Sequence, residues 1–442
     1  MRIGILTAAL LIAPLVAEAN VELTVKSDHT TFAVKGVQTT DDKNPPSSKT
    51  IHLTLGTHWV QWDSGTDRGV YDFAKRIVIT VDPQAHRLVE DSLYAVVSSR
   101  AAELENRRMM SNSVASAQPE DSPLLPTLAE HELALRGDTQ RASGIERKGG
   151  DGEQRYLWGK KELFAYSTKL LPLPPADRDL YIRYVRYTVG GHPEILADLQ
   201  KLDGIPKWLR YRDPANGNAQ QLAVLESRRA PDGPYSLPAL EKATLKNPAA
   251  AAAAAAVAAS TPDSRAIAVA RILTQANEAA DAGKPLQAML GYLERRLMID
   301  GEMPPDFTKR AEVIVRDENV RALLGAFQAE NEIQAKACIA TLVGLAHLAG
   351  DKAYVVGIFR ANMEIRLGNA ETATGLLVAA LTKNPFITGV WKDLGDSLDT
   401  GFDSADTWRC YEIARLIAPA HGLLAEIALR EAALAKEHPE YF

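Results

Sequence analysis

The 442-residue sequence contains few cysteines and histidines, the residue types on which thiol redox chemistry and zinc binding depend. It has two cysteines, Cys338 and Cys410, and nine scattered histidines. Export would permit a disulfide between the cysteines, but two small apolar core residues are the simpler interpretation. The 50 basic and 56 acidic residues give a net charge of −6, which argues against nucleic acid as a partner. No segment after the N-terminus has the roughly 20 apolar residues that a membrane span needs.

Sequence signatures of common enzyme classes are also missing. The chain has no G-x-S-x-G nucleophile elbow, P-loop or G-x-G-x-x-G motif, and His131-Glu132 lacks the second histidine of a zinc hydrolase. Asp63-Ser64-Gly65-Thr66 and Asp399-Thr400-Gly401 resemble the paired motifs of aspartic proteases, but Asp, Ser and Gly are also typical turn residues. We therefore predict no catalytic residues, no metal site and no cofactor. An unrecognised hydrolase stays open, because catalytic groups can converge from distant positions.

The N-terminus has the pattern of a secretory signal peptide. Arg2 supplies a positive charge, an apolar run covers residues 3–16, and Ala17-Glu18-Ala19 matches the small-x-small cleavage pattern. The alternative, an uncleaved membrane anchor, is disfavoured because the run is short and Pro14 interrupts it. We predict that residues 1–19 are removed and that the protein is periplasmic or extracellular.

Residues 20–245 are predicted to form an α+β domain with an antiparallel sheet. Ile51, Leu53 and Leu55 alternate with polar residues, which places them on one face of a strand. Further strands are predicted at 21–25, 69–73, 76–81, 87–94, 155–158, 163–168, 208–212 and 221–227. Helices are predicted at 97–110, near 125–136, at 177–190 and at 193–202.

The outline of this first half resembles the exported half-barrel proteins of the lipoprotein-carrier (LolA-like) class. The resemblance rests on Tyr71-Asp72-Phe73, the strand of residues 77–82, and Asp91-Ser92-Leu93-Tyr94. It implies an incomplete antiparallel barrel over a hydrophobic cavity with helical lids. A lipid or lipoprotein carrier or chaperone is therefore one candidate function.

Helical periodicity begins abruptly after residue 245. Asn247-Pro248 is a helix-start signal, and Ala249 to Ala259, broken only by Val257, has very high helix propensity. We interpret residues 246–261 as an alanine-rich helical linker or the first turn of a helical array. From residue 262 to 442, apolar residues recur at helical spacing in consecutive pairs of segments, which predicts stacked helical hairpins.

The last of these hairpins resembles the tetratricopeptide repeat. The matching positions are Trp391, Leu394, Gly395, Leu398, Thr407, Tyr411, Ala414 and Pro419. Pro385 and Pro419 lie 34 positions apart, which equals the period of that repeat, and Ala380 matches in the preceding unit. The resemblance implies a solenoid with a concave surface for extended peptides.

The same resemblance implies which residues would contact a peptide. The inward positions of each first helix correspond to Ile358, Asn362, Lys392 and Asp396. Asn362 matches the asparagine of the carboxylate-clamping subgroup, but Ile358 occupies the position of that subgroup's lysine. At each position, a solvated residue without a binding role is the alternative.

Two sets of arginines are further candidates for an anion site. Arg183 and Arg186 alternate with Tyr181, Tyr184 and Tyr187 on a predicted helix, and Arg210 and Arg212 share a predicted strand face with Trp208. The alternatives are tyrosines packed on the sheet with arginines in water, and an ordinary exposed strand face.

The sequence thus predicts a two-part protein, α+β followed by an all-α solenoid. Our leading functional prediction is an exported, non-catalytic scaffold that binds a protein or peptide. The carrier of lipid or another hydrophobic ligand is the alternative, and a hydrolase comes third. Cavity geometry distinguishes the first two: a large lidded apolar cavity favours the carrier, and a side-chain-filled sheet favours the scaffold.

Overall fold

The computed structural model describes residues 20–31, 46–117, 144–190, 192–213 and 218–442. The predicted signal peptide and the helix predicted near residues 125–136 lie outside these ranges.

The chain divides into two compact units, each assembled from two separate stretches of sequence. The first unit comprises residues 1–74 and 121–239, and the second comprises residues 75–120 and 240–442. This division differs from a simple boundary at residue 245, because residues 75–120 belong with the helical half. The Tyr94 ring stacks on Trp408 with a centroid distance of 5.1 Å, a contact over more than 300 positions that local sequence patterns do not contain.

The described residues form fourteen strands, which are listed here in chain order: β1 (Asn20–Thr31), β2 (Ser47–Leu55), β3 (Trp59–Asp63), β4 (Arg68–Asp72), β5 (Ile77–Asp82), β6 (Arg87–Ser92), β7 (Ile145–Gly150), β8 (Glu153–Trp158), β9 (Lys161–Ser167), β10 (Leu170–Leu171), β11 (Ile205–Pro206), β12 (Trp208–Asp213), β13 (Asn218–Ala230) and β14 (Glu241–Lys242).

The first unit contains an open antiparallel sheet with the order β4-β3-β2-β1-β13-β12-β9-β8-β7. Leu23 and Val25 of β1 are buried on the same face as Ile51, Leu53 and Leu55 of β2, and Leu23 lies opposite Leu53. The predicted alternation of β2 is therefore confirmed. Strand β3 was not predicted, although Val60 is fully buried in it.

The described helices number fourteen: α1 (Leu93–Ala117), α2 (Pro175–Thr188), α3 (Pro193–Gln200), α4 (Pro248–Ala258), α5 (Pro262–Asp281), α6 (Pro285–Ile299), α7 (Pro305–Arg316), α8 (Glu318–Gly325), α9 (Glu332–Leu348), α10 (Ala353–Arg366), α11 (Ala370–Lys383), α12 (Thr388–Thr400), α13 (Ser404–Ile417) and α14 (Leu424–Glu437).

Helix α2 packs on the sheet of the first unit through its tyrosines. Tyr181, Tyr184 and Tyr187 are all buried, and the Tyr187 ring lies 5.0 Å from Tyr71 and 5.9 Å from Phe73. These side chains fill the space between helix and sheet. The tyrosines therefore pack on the sheet as expected, but the expectation of arginines in water is wrong for Arg186, which is 1% exposed.

The second unit combines helices α1 and α4–α14 with three strands. Strands β5 and β6 pair antiparallel, and the short β14 lies parallel to β6. Local signals set the helix boundaries: Thr261 and Ser264 form a capping box at the start of α5. Gly283 and Gly368 adopt left-handed backbone conformations at the turns before α6 and α11, where glycine has no steric penalty. These consecutive helical pairs are compatible with a solenoid.

At the tetratricopeptide-like positions, large aromatic side chains are buried between helices and a glycine lies where two helices approach closely. Trp391 and Tyr411 are fully buried, and the indole Nε1 of Trp391 donates to the Pro385 carbonyl at 2.8 Å. A Cβ on Gly395 would lie 2.4 Å from the Tyr411 ring, so only glycine permits the approach of α12 to α13 at this point.

A buried polar network connects α6 with the helices that follow. The Glu294 carboxylate has no exposed side-chain surface and accepts hydrogen bonds from Lys352 Nζ (2.7 Å), Tyr354 OH (2.6 Å) and Asn384 Nδ2 (2.6 Å). Every carboxylate oxygen thus has a partner, as burial of a charge requires. These hydrogen bonds connect α6 with the start of α10 and with the end of α11.

Both cysteines are free. Cys410 is fully buried in one hydrophobic cluster, and Cys338 is half-buried beside another. The interpretation as apolar packing residues therefore holds fully for Cys410 and only in part for Cys338.

Candidate functional site

A cavity of about 650 Å³ opens within the second unit, a volume in the usual range for ligand sites, about 300–1,000 Å³. We call it the apolar cleft. Helix α4 forms one wall and helix α13 the other, while residues near strands β5, β6 and β14 close one side. Its lining residues, taken in full, are 75–77, 90–92, Tyr94, 242–245, Ala254, Ala255, Val257, Ala258, Trp408, Arg409, Glu412, Ile413, Arg415, Leu416 and Glu431.

The alanine run explains the first wall. The Asn247 side chain accepts hydrogen bonds from the backbone N–H groups of Ala249 and Ala250, which starts α4. Alanine covers almost the whole circumference, so the helix buries one apolar face in the core and leaves a second one facing the cleft. Ala255 and Ala258 lie exposed on that second face. The run is therefore part of the folded unit and not a detached linker.

Aromatic packing fixes the second wall. Trp408 is only 2% exposed and stacks on Tyr94, which anchors α13 against α1. Two turns further along α13, Leu416 is 52% exposed and faces the cleft. An apolar group that binds in the cleft would bury the exposed surface of Leu416, and removal of that apolar surface from water is favourable.

Ion pairs surround the apolar walls. Arg409 bridges Asp91 and Asp406 with distances of 2.8 Å to each, and Arg415 bridges Glu412 (2.8 Å) and Glu431 (2.9 Å). Burial raises the pKa of Asp91, while the Arg409 guanidinium acts in the opposite direction. Each of these carboxylates is ion-paired with an arginine, so both signs of charge lie beside the apolar walls of the cleft.

A second apolar pocket of about 410 Å³ lies next to the cleft, and Leu416 lines both. Its walls are apolar side chains of α5, including Ala266 and Val269, together with Phe386 and Ile417. Apolar side chains of α4, α13 and α5 therefore line two neighbouring pockets.

The predicted peptide-contacting positions do not form an open surface. Ile358 is fully buried in the core, and Lys392 is buried between Asp396 (2.8 Å) and Glu426 of the C-terminal helix α14. Asp396 is half-buried and accepts a hydrogen bond from Tyr411 OH at 2.7 Å.

Neighbouring elements cover α10 and α12, the two helices that carry these positions. In α10 and α12, only the terminal residues Arg366 and Thr400 are exposed. Phe327, which follows α8, packs on Phe359 of α10 at 4.4 Å, and α14 packs over α12 through charged contacts. The four positions taken from peptide-binding repeats therefore lie in packing and internal polar contacts, and their role in peptide binding stays a prediction.

Asp393, which follows Lys392 on α12, was not among the residues that the sequence predicted for a site. Burial raises its pKa to about 6, although Lys392 and a hydrogen bond with the half-buried Asn362 favour its ionised form. Asn362 thus contacts a carboxylate of its own chain.

The predicted arginine sites are also satisfied within the first unit. Arg210 and Arg212 share Glu162 at 2.8 and 3.4 Å, so an acidic side chain of the same protein occupies the expected anion position. Arg183 lies over the Phe73 ring at 5.3 Å, and Arg186 is buried with 1% exposure. All four side chains thus have contacts within the chain, and an anion-binding role for them stays a prediction.

The protease-like motifs have local structural roles. Asp63 accepts a hydrogen bond from the Gly65 N–H at 2.8 Å within the turn between β3 and β4, and Asp399 pairs with Arg430 at 2.9 Å. Within the described residues, no group of three His, Cys, Asp or Glu side chains is arranged to hold a metal ion. In the same part of the chain, no helix has both the length and the apolarity of a membrane span.

Comparison of the sequence with protein-family models and with curated proteins gave no match. The tetratricopeptide-like and lipoprotein-carrier-like resemblances therefore stay predictions.

Proposed function

We propose that the protein is an exported, non-catalytic scaffold whose tetratricopeptide-like helical unit binds an apolar segment of a partner protein in the apolar cleft. The observation that carries this proposal is the exposed Leu416 side chain, which lines both the apolar cleft and the neighbouring pocket. Helix-lined apolar grooves are a common mode of peptide recognition.

The surroundings of the cleft favour binding over catalysis. The carboxylates of Asp91, Glu412 and Glu431 are each ion-paired with an arginine. A general acid or base needs a proton that can reach a substrate, whereas these groups are committed to fixed partners.

A carrier of lipid or lipoprotein is less well supported. The inner face of the first unit's sheet is filled by Tyr181, Tyr184 and Tyr187 of α2, and a filled sheet was the criterion that favoured a scaffold. Export itself rests on residues 1–19, and N-terminal sequencing of the mature protein tests it.

Site-specific photo-crosslinking in the native cell tests the binding role. We expect p-benzoylphenylalanine in place of Ala255 to form one dominant protein adduct, and the same group in place of Ile333, which is 82% exposed on α9, to form none. Leu416→Asp should abolish the Ala255 adduct, because it places a charge in the apolar wall.

Leu348→Asp is the matched control, since Leu348 is 54% exposed and lies outside the cleft. This variant should keep the adduct. An adduct that survives Leu416→Asp, or the absence of any adduct at position 255, would overturn the proposed binding role.

A further inference from the structure

The two ends of the apolar cleft carry different charge arrangements. At the end near Trp408, the Arg76 guanidinium lies over the rings of Tyr94 (5.3 Å) and Phe442 (5.6 Å). No carboxylate of the described residues pairs with it, so its hydrogen-bond donors remain available at the rim. A stacked guanidinium presents a planar fork that matches a carboxylate.

The other charges near this end are largely balanced. Lys242 pairs with Glu90 at 2.6 Å. Arg409 pairs with both Asp91 and Asp406, and Asp406 also accepts the Lys246 backbone N–H in the first turn of α13, where the helix dipole favours negative charge. Arg76 therefore favours an incoming acidic side chain at this end of the cleft.

The opposite end has an excess of negative charge. Glu412 and Glu431 share the single cation Arg415, and this cluster lies beside the last turn of α13, where the helix dipole is also negative. An incoming basic side chain would reduce the repulsion between the two carboxylates.

The two charged ends follow one another along α13. Arg76 lies over the Tyr94 ring, which stacks on Trp408, and Glu412 is four positions, or about one helical turn, further along α13. Two helical walls, one of them alanine, permit close approach of a third helix.

We propose that the apolar cleft binds an amphipathic helical peptide in one charge order, with an acidic residue at Arg76 and a basic residue at the Glu412–Glu431 pair. Apolar side chains between them occupy the cleft beside Ala255 and Leu416. The inference rests on the proposed function, because it specifies the partner of that same site.

Three synthetic peptides test this inference by fluorescence anisotropy with the mature protein. All have leucines at i+3 and i+4, and they carry Glu and Lys, two Glu, or two Lys at positions i and i+7. A peptide with unlike charges can place Glu at Arg76 and Lys at the Glu412–Glu431 pair in one of its two chain directions, whereas a like-charged peptide cannot in either direction. We expect the Glu/Lys peptide to bind about tenfold more tightly than either like-charged peptide.

Arg76→Glu makes both ends of the cleft acidic and should therefore make the Lys/Lys peptide the tightest binder, and circular dichroism establishes that the variant is folded. Lys309→Glu, at an exposed lysine outside the cleft, should leave the preference unchanged.

Equal binding of all peptides, lost in Leu416→Asp, would refute the charge order while preserving the cleft as a binding site. Binding that is insensitive to both Arg76→Glu and Leu416→Asp would refute the proposed function as well. Binding of a fluorescent long-chain fatty acid in preference to every peptide would also overturn the inference.

Discussion

Removal of the buried cation Lys352 should strongly destabilise the helical unit. Its side chain is 8% exposed and lies 2.7 Å from Glu294, which has no exposed side-chain surface. Lys352→Met keeps the approximate size of the side chain but leaves the Glu294 carboxylate without its cation. Loss of one partner from a buried ion pair typically costs about 3–5 kcal/mol.

The exposed pair Lys336–Glu332 offers a control with the same substitution. Its side chains are 65% and 70% exposed at a distance of 2.7 Å, and such helical pairs contribute about 0.3–0.5 kcal/mol. Urea unfolding followed by circular dichroism should therefore show a loss for Lys352→Met several times that for Lys336→Met. Equal, small losses for the two variants would refute the role assigned to burial.

A second variant separates charge from packing. In the Lys352→Met background, Glu294→Gln removes the isolated charge but still presents an oxygen to Tyr354 and Asn384. We expect it to recover about 1 kcal/mol or more of the loss, because a neutral amide has a smaller desolvation cost. No recovery would indicate that lost packing of the lysine stem, and not the unpaired charge, causes the destabilisation.

Three further predictions concern stability and reactivity. Gly395→Ala should cost about 1–3 kcal/mol in thermal unfolding because its Cβ meets a tyrosine ring, whereas Gly375→Ala in α11, with open space at that position, should be neutral or stabilising. Asp393 has a pKa raised from 3.8 to about 6, so its contribution to stability is lost as pH rises through that window; Asp393→Asn should remove this decline in urea titrations at several pH values. Burial raises the pKa of the Cys410 thiol, so mass spectrometry should find it unmodified by iodoacetamide in the folded protein while the half-buried Cys338 reacts.

Local patterns predicted much of the secondary structure. The alternation of Ile51, Leu53 and Leu55 identified β2, and the spacing from Trp391 to Pro419 identified the α12–α13 pair. These signals work because side-chain periodicity and close helix crossings depend on residues that are near in sequence. Strand β3 was missed because its five residues lie between two turn-rich segments.

The functional interpretation depended on contacts that sequence spacing does not contain. Lys392 occupies an inward position of its helix, but α14 covers that position and converts it into an internal ion pair. The apolar cleft needs α4, α13 and the segment around Tyr94 to come together. The one local signal was the alanine run, which predicted a helix but not the face that it leaves exposed.

The most direct test of the account is hydrogen–deuterium exchange of the mature protein with and without the partner found by crosslinking. We expect the partner to slow exchange in α4 and in residues 408–416 of α13, the two walls of the apolar cleft. Protection confined to other regions, such as α9, with unchanged exchange in both walls, would contradict the assignment of the cleft as the binding site.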